Sequence, residues 1–330
     1  MHTTLLTLPA DLKRYDAWVR SHPQGSLWQS PEWKHYQKAL GRETRIYALQ
    51  EAENIVASAL VVIDRTTGGF STWDVPRGPL VALSFELRAA SLIETIAQDA
   101  RKERCLSLFF SPSTALPLKA QSSKLKASTR HIQSAVTRIL DLTLPEDALL
   151  KQMHQKGRYN IKVAEKHGVR VEHKTVQDID AFYDLLRSTG KRDDFTILPK
   201  SHYARFLTNL DGSFLLLAFH EKKPVAGLLG VLWNGIGYYY YGASDHARRN
   251  LMAPYLLQWE AMKYCKERGC SSYDLLGIAP PDAGPDHPWQ GISGFKEKFG
   301  GTVVEYPHEQ EIVLRPIASA LLAVKRKIFG

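Results

Sequence analysis

From Phe214 to Leu275 the chain spells out one order of elements. Phe214 to Phe219 reads as an apolar strand, and Glu221-Lys222-Lys223-Pro224 as a turn. Val225 to Trp233 is a longer strand. Asn234-Gly235 is the pair that closes a tight hairpin, because both turn positions need a left-handed backbone, and Ile236 to Tyr241 returns from it. Met252 to Arg268 is a helix that ends at Gly269, a residue suited to the left-handed C-cap. Ser272 to Leu275 follows as a short buried strand.

The first half repeats this order without evident identity. Trp33 to Leu40 reads as a helix, and Arg45 to Leu49 and Ile55 to Ile63 as strands. Gly68-Gly69 signals a hairpin turn, Leu87 to Arg104 an amphipathic helix, and Leu106 to Phe110 a buried strand. A chain of 330 residues suits two domains, each large enough to bury a core unaided. The expected division is 1–141 together with 308–330, and 142–307. Between the halves, Leu149 to Lys166 reads as one basic helix ended by Gly168, and Val169 to Val171 as a strand start. Ile179 to Thr189 and Ser201 to Leu210 read as helices either side of a loop from Arg192 to Lys200. The tail from Pro316 to Phe329 is apolar and basic, and is expected to pack back on the first domain.

Composition narrows the functional classes. Three cysteines, Cys105, Cys265 and Cys270, fit reduced structural thiols in a cytosolic protein and not a disulfide framework. The N-terminal segment resembles no signal peptide, and no run approaches the ~20 apolar residues that span a bilayer. A cytoplasmic location is expected, with a peripheral contact at the inner membrane face. The excess of 43 basic over 34 acidic residues, a formal charge of +9, favours polyanionic partners. Of twelve histidines, His131, His154, His167 and His173 lack paired ligand spacing, so no metal is expected. Neither a Gly-x-Ser-x-Gly elbow nor a P-loop is present.

Strand, hairpin, long helix, strand resembles the core of the GNAT-type acyltransferases, here in two α/β copies in tandem. In coenzyme A-dependent members a glycine-rich turn cradles the pyrophosphate with backbone N–H groups at a helix N-terminus. The corresponding stretch, Ser244 to Pro254, has no glycine and carries Asp245, and Pro254 lacks an N–H. Coenzyme A is therefore disfavoured and no cofactor is expected. Arg248 and Arg249 suit a solvated face or an anion.

Several short segments, in order and spacing, resemble the Fem family of aminoacyl-tRNA-dependent peptidyltransferases. They are Lys156-Gly157-Arg158-Tyr159-Asn160-Ile161-Lys162, Ala164-Glu165-Lys166, Tyr241-Gly242-Ala243-Ser244, Ala253-Pro254-Tyr255, Tyr273-Asp274 and Phe295-Lys296. The resemblance implies transfer of an amino acid from aminoacyl-tRNA to the stem-peptide amine of a peptidoglycan precursor, either lipid II or UDP-N-acetylmuramoyl-pentapeptide. It implies that Lys296 lies at the reacting end of the donor, where a fixed ammonium stabilises a tetrahedral oxyanion. Phe295 would pack against the donor's terminal base or aminoacyl group.

Side chains alternate along a strand, so Tyr239 and Tyr241 are expected on one face and Tyr238 and Tyr240 on the other. The resemblance points to Tyr241, with Tyr255 nearby, for the substrate. It places the acceptor's pyrophosphate between the domains, near Arg77 in Arg77-Gly78-Pro79, with Arg192, Lys200 and Arg205 as further candidates. A lysine of the family four residues past Trp33 is here Gln37, flanked by Lys34 and Lys38; Lys38 is the candidate contact. An acidic residue expected after Phe110 is Ser111, so no general base is named. Lys156, Arg158, Lys162 and Lys166 would meet the tRNA backbone. Two rival readings remain: an N-acyltransferase of this architecture with another acyl donor, and a non-catalytic protein that binds RNA or envelope precursors.

Overall fold

The computed structural model describes residues 2–65, 68–82, 85, 89–115, 125–128, 130, 132–193 and 196–329, with the side chains of 193 and 323–329 set aside. The chain forms two compact units, residues 1–135 with 306–330, and residues 136–305. In chain order the first unit holds β1 (His2–Leu5), α1 (Pro9–Ser21), α2 (Pro31–Ala39), β2 (Glu43–Glu51), β3 (Asn54–Arg65), β4 (Ser71–Val75), β5 (Leu80–Val81), α3 (Ala89–Lys102), β6 (Cys105–Phe110) and β7 (Leu125–Ala127). The second holds β8 (Val136–Asp141), α4 (Glu146–Gln152), α5 (Gln155–Lys166), β9 (Arg170–Lys174), α6 (Ile179–Asp193), α7 (Lys200–Asn209), β10 (Ser213–His220), β11 (Lys223–Trp233), β12 (Ile236–Ser244), α8 (Ala253–Glu267), β13 (Ser272–Gly277), α9 (Gln290–Glu297) and β14 (Thr302–Glu305). The chain then returns to the first unit with β15 (Gln310–Val313) and α10 (Pro316–Phe329).

Both units follow the GNAT-like plan. The first sheet runs β1-β2-β3-β4-β6-β15-β7, with β5 also on β3. β4 and β6, connected through β5 and α3, pair in parallel, and the other pairs are antiparallel. The second sheet runs β14-β8-β13-β12-β11-β10-β9, and again only the strands either side of the long helix, β12 and β13, are parallel. β8 is hydrogen-bonded between β13 and β14, so the second unit begins six residues before the expected Leu142. The tail adds β15 to β6, and Arg315 at the head of α10 donates to the carbonyl of Arg101 at 3.0 Å.

Local chemistry explains the anchors. Asn234 and Gly235 take φ of 46° and 78°, the left-handed pair that the β11–β12 hairpin requires. Gly269, at φ 79°, follows α8 as its left-handed terminator. At the other end of α8, Met252 at φ 53° turns the chain so that Pro254 enters the first helical turn. Of the helix expected over Leu87 to Arg104, residues 87 and 88 lie outside the described residues.

The basic helix expected over Leu149 to Lys166 is instead two helices. Met153 leaves helical geometry with ψ 147° and buries its side chain, while the His154 ring caps α5 by accepting from the N–H of Lys156 at 3.1 Å. Helix propensity alone does not show such a break, because burying Met153 is a tertiary demand.

Candidate active site

The site is assembled within the second unit around α9. Lys296 is only 6% exposed. Its Nζ donates to the carbonyls of Gly277 at 2.7 Å and Leu276 at 3.2 Å, and lies 5.6 Å from the ring centre of Tyr239. Burial lowers its pKa to about 8, against the opposing pull of Asp274. The ammonium form thus persists at neutral pH in an environment that makes its field strong.

Phe295, the preceding residue, completes an aromatic cluster. Its ring meets Tyr255 and Phe299 edge-on, each at 5.1 Å, and Tyr255 lies 5.7 Å from Phe299. Tyr255 hydrogen-bonds the buried Asn160 of α5. Gly157, one turn earlier on α5, is where that helix touches the chain after α9: a Cβ there would lie 2.4 Å from the Lys298 carbonyl oxygen. The segment Lys156 to Lys162 therefore buttresses the helix that bears Phe295 and Lys296.

A cleft of about 820 Å³ opens beside α9, lined by Tyr239, Gly242, Ser244, Gln258, Trp289 and Phe295 among others. A smaller hollow of about 400 Å³ adjoins it across Arg192, Ser244, Pro254 and Phe295, and reaches Arg248 and Arg249. The Tyr239 hydroxyl lies over Gly242, where a Cβ would come within 1.8 Å of it. Burial pushes the Tyr239 phenol up to about 12, opposed by a hydrogen bond with Gln258. Gln258 in turn accepts from Tyr273 at 2.9 Å. Tyr239 is thus a neutral hydroxyl at the cleft wall.

Where a glycine-rich turn would cradle a pyrophosphate, Asp245 occupies local donors instead. Its side chain accepts from the N–H of Ala247 at 2.9 Å and pairs with Arg248 at 3.8 Å. Among the described residues no group of three or more His, Cys, Asp or Glu is placed to hold a metal ion; His131 lies outside them.

The expected pairing of Tyr239 with Tyr241 on one face is overturned. Opposite Leu229 and Gly230 the register slips, so Tyr240 is an extra residue, a β-bulge. A one-residue slip reverses every side chain beyond it. Tyr239 faces α8 and Lys296. Tyr240 and Tyr241 both meet Phe206 of α7, and the Tyr241 hydroxyl is 3.0 Å from His202 Nε2.

The other candidates divide by exposure. Arg192 lines both hollows. Lys200 is exposed and paired with Asp180 at 2.5 Å, and Arg205 is exposed on α7. Lys156, Lys162 and Lys166 are exposed on α5, with Tyr159 beside them at 65% exposure. Arg158 differs from the expectation. Its guanidinium turns onto the carbonyls that end α4, those of Met153, Lys151 and Leu150, and so holds the helix break together.

In the first unit Arg77 also departs from an open anion contact. It is buried, donates to the Ser134 carbonyl at 2.7 Å and stacks 3.6 Å over Tyr306. Lys38 is exposed, while Gln37 is buried and accepts from Arg42 at 2.9 Å. Ser111 donates to Glu309 at 3.0 Å, and Arg130 holds that carboxylate together with Asp74. Burial raises Asp74 to about 6, with Arg130 pulling it down. Sequence reasoning gave no role to Gln258, Asn160 or Trp289. Asn160 carried a signal within the Lys156–Lys162 segment, and Trp289 as a tryptophan in a proline-rich loop just ahead of Phe295-Lys296.

The FemAB family profile matches residues 11–138, 125–219 and 215–326. The lipid II:glycine glycyltransferase of Staphylococcus saprophyticus is 24% identical over 394 aligned positions, covering 95% of this chain and 94% of that protein. The same-named protein of Staphylococcus aureus strain USA300 is 21% identical, with coverage of 96% and 95%. Among solved structures, FemX superposes with a TM-score of 0.83 at 20% identity, over 97% of this chain and 99% of that one. A tandem GNAT protein from the clavulanic acid pathway reaches 0.61 at 12% identity, over 95% and 98%. At these identities the structural likenesses speak to the fold.

Proposed function

The chain belongs to the FemAB family, and from that premise we propose that it is an aminoacyltransferase that moves an amino acid from aminoacyl-tRNA to the stem-peptide amine of a peptidoglycan precursor. The full-length matches to lipid II:glycine glycyltransferases support an interpeptide-bridge reaction. The donor assignment rests on the chemistry of the second unit.

One observation carries the reading. Lys296 holds a buried ammonium 5.6 Å from the ring centre of Tyr239, and Tyr239 lines a cleft large enough for an aminoacyl ester and an incoming amine. As the amine nitrogen bonds to the ester carbonyl carbon, charge builds on the carbonyl oxygen. A preorganised donor and cation in a water-poor wall stabilise that charge more than they stabilise the neutral ester. Collapse breaks the ester C–O bond, and the ribose hydroxyl leaves with the proton that the amine gives up. Phe295 and Trp289 offer aromatic faces for the donor's terminal base. Arg192, Arg248 and Arg249 meet its phosphates, and Lys156, Lys162 and Lys166 the RNA backbone beyond. No described helix is long and apolar enough to cross a membrane. With charged tRNA as donor the reaction runs on the cytoplasmic side, and a lipid-linked acceptor brings the protein to the membrane face.

The test is transfer of labelled amino acids from a mixed charged-tRNA pool to UDP-N-acetylmuramoyl-pentapeptide and, in parallel, to lipid II, with and without ribonuclease. Ribonuclease-sensitive product on either acceptor is the expected result. No product on both, with a known enzyme turning over the same reagents, refutes the reading.

A further inference from the structure

Two successive carbonyls of a regular strand point in opposite directions. Those of Leu276 and Gly277, at the end of β13, nevertheless converge on the one Nζ of Lys296. The backbone that allows this is unusual. The register of β13 against β8 slips between Asp274 and Gly277, and Leu276 takes φ 56°, a left-handed conformation that a leucine adopts at a cost of about 1–2 kcal/mol. Something must hold it there.

Asp274 is that restraint. It is 4% exposed. Its Oδ1 accepts from the N–H of Leu276 at 2.7 Å and from the hydroxyl of the buried Thr137 on β8. The first contact pins the left-handed residue, and the second fixes the carboxylate to the neighbouring strand. Around the ammonium, β12 brings the neutral Tyr239 phenol and β13 the two carbonyls, while the Thr137 hydroxyl of β8 reaches Asp274. Among the described residues, Asp274 is the charged group that acts on Lys296. A buried ammonium with dipolar partners alone is costly, and a nearby carboxylate offsets that cost.

We propose that Asp274 is the positioning residue for Lys296: its carboxylate pins the turn whose two carbonyls seat the ammonium, and supplies the counter-charge that keeps it charged. This rests on the role given to Lys296 above, but its first test needs no substrate. Asp274→Asn keeps an oxygen acceptor for the Leu276 N–H and removes the charge. In protein labelled with ¹³Cε-lysine, the Lys296 resonance, assigned by its loss in Lys296→Met, is titrated in both forms. Its midpoint is expected to fall by roughly one pH unit in Asp274→Asn. The alkaline limb of the kcat profile should fall with it, with KM little changed.

If Asp274→Asn folds poorly, adding Leu276→Gly lets the turn take φ 56° freely while the carboxylate stays absent. The same fall in midpoint is expected. An unmoved Lys296 midpoint in the folded variant overturns the proposal, as does a uniform loss of kcat without a shifted profile. A native protein that transfers nothing refutes the reaction assigned above, while the lysine titration still decides the role of Asp274.

Discussion

Replacing Gly157 by alanine sets two effects of opposite sign against each other. Intrinsic propensity favours alanine in a helix interior by about 1 kcal/mol. The structure opposes it. The new Cβ would lie 2.4 Å from the Lys298 carbonyl oxygen and 3.2 Å from its carbon, both backbone atoms. Relieving that contact requires α5 and the chain after α9 to part by roughly 1 Å, and overpacking of this kind costs about 1–3 kcal/mol. The same oxygen accepts from the N–H of His154 at 3.1 Å, so the displacement also weakens a bond worth about 1 kcal/mol. The expected net is a loss of about 1–3 kcal/mol by urea unfolding at unchanged m. A fall in kcat should accompany it, because the moved segment carries Lys296. Gly294→Ala is the control: on α9, with no heavy atom within 4 Å of the added Cβ, propensity acts alone and stability should rise by up to about 1 kcal/mol. A Gly157→Ala protein as stable as Gly294→Ala would refute the close-approach argument.

The pKa of Lys296 falls on folding, from 10.5 to about 8. Between those values the unfolded chain binds a proton that the native one does not, so stability should rise with pH through this window. The full rise is on the order of 3 kcal/mol, of which about 2 kcal/mol falls between pH 7.5 and 9.5; unfolding of native protein and Lys296→Met at those two pH values should show it only in the former. Lys296→Met should also lower kcat by about 10²–10³ in the transfer assay. Tyr239→Phe should lower kcat by at least about tenfold. Tyr241→Phe should change it little, since that hydroxyl faces His202. Lys162→Ala should reduce the salt slope of tRNA binding by about one. Arg158→Ala should leave the slope unchanged and lose about 1–2 kcal/mol of stability by urea unfolding.

Local signals carried far in this sequence. Asn234-Gly235 and Gly269 announced the hairpin and the helix end, because each needs a left-handed backbone that few residues accept. The repeated order of strand, hairpin, helix and strand was enough for two GNAT-like units, since hydrophobic period and turn chemistry are properties of neighbouring residues. The Phe295-Lys296 pair stood out through family resemblance. What escaped depended on residues distant in the chain. The tyrosine run looked like clean alternation, but the slip at Tyr240 is created by pairing with β11 and turns Tyr241 away from Lys296. Arg158 looked like part of a cationic face until α4 ended beneath it.

Most elements and their tandem order are legible in hydrophobic period and turn residues, and the family in the order of its motifs, because these are properties of neighbouring residues. Which polar groups are buried together emerges only when distant segments pack. Asp274 reaches Lys296 through a left-handed leucine that no residue preference would foretell, and Gly157 matters because the chain after α9 passes against it. Charge, burial and close contact are relations between segments, and they exist only once the chain has brought those segments into register.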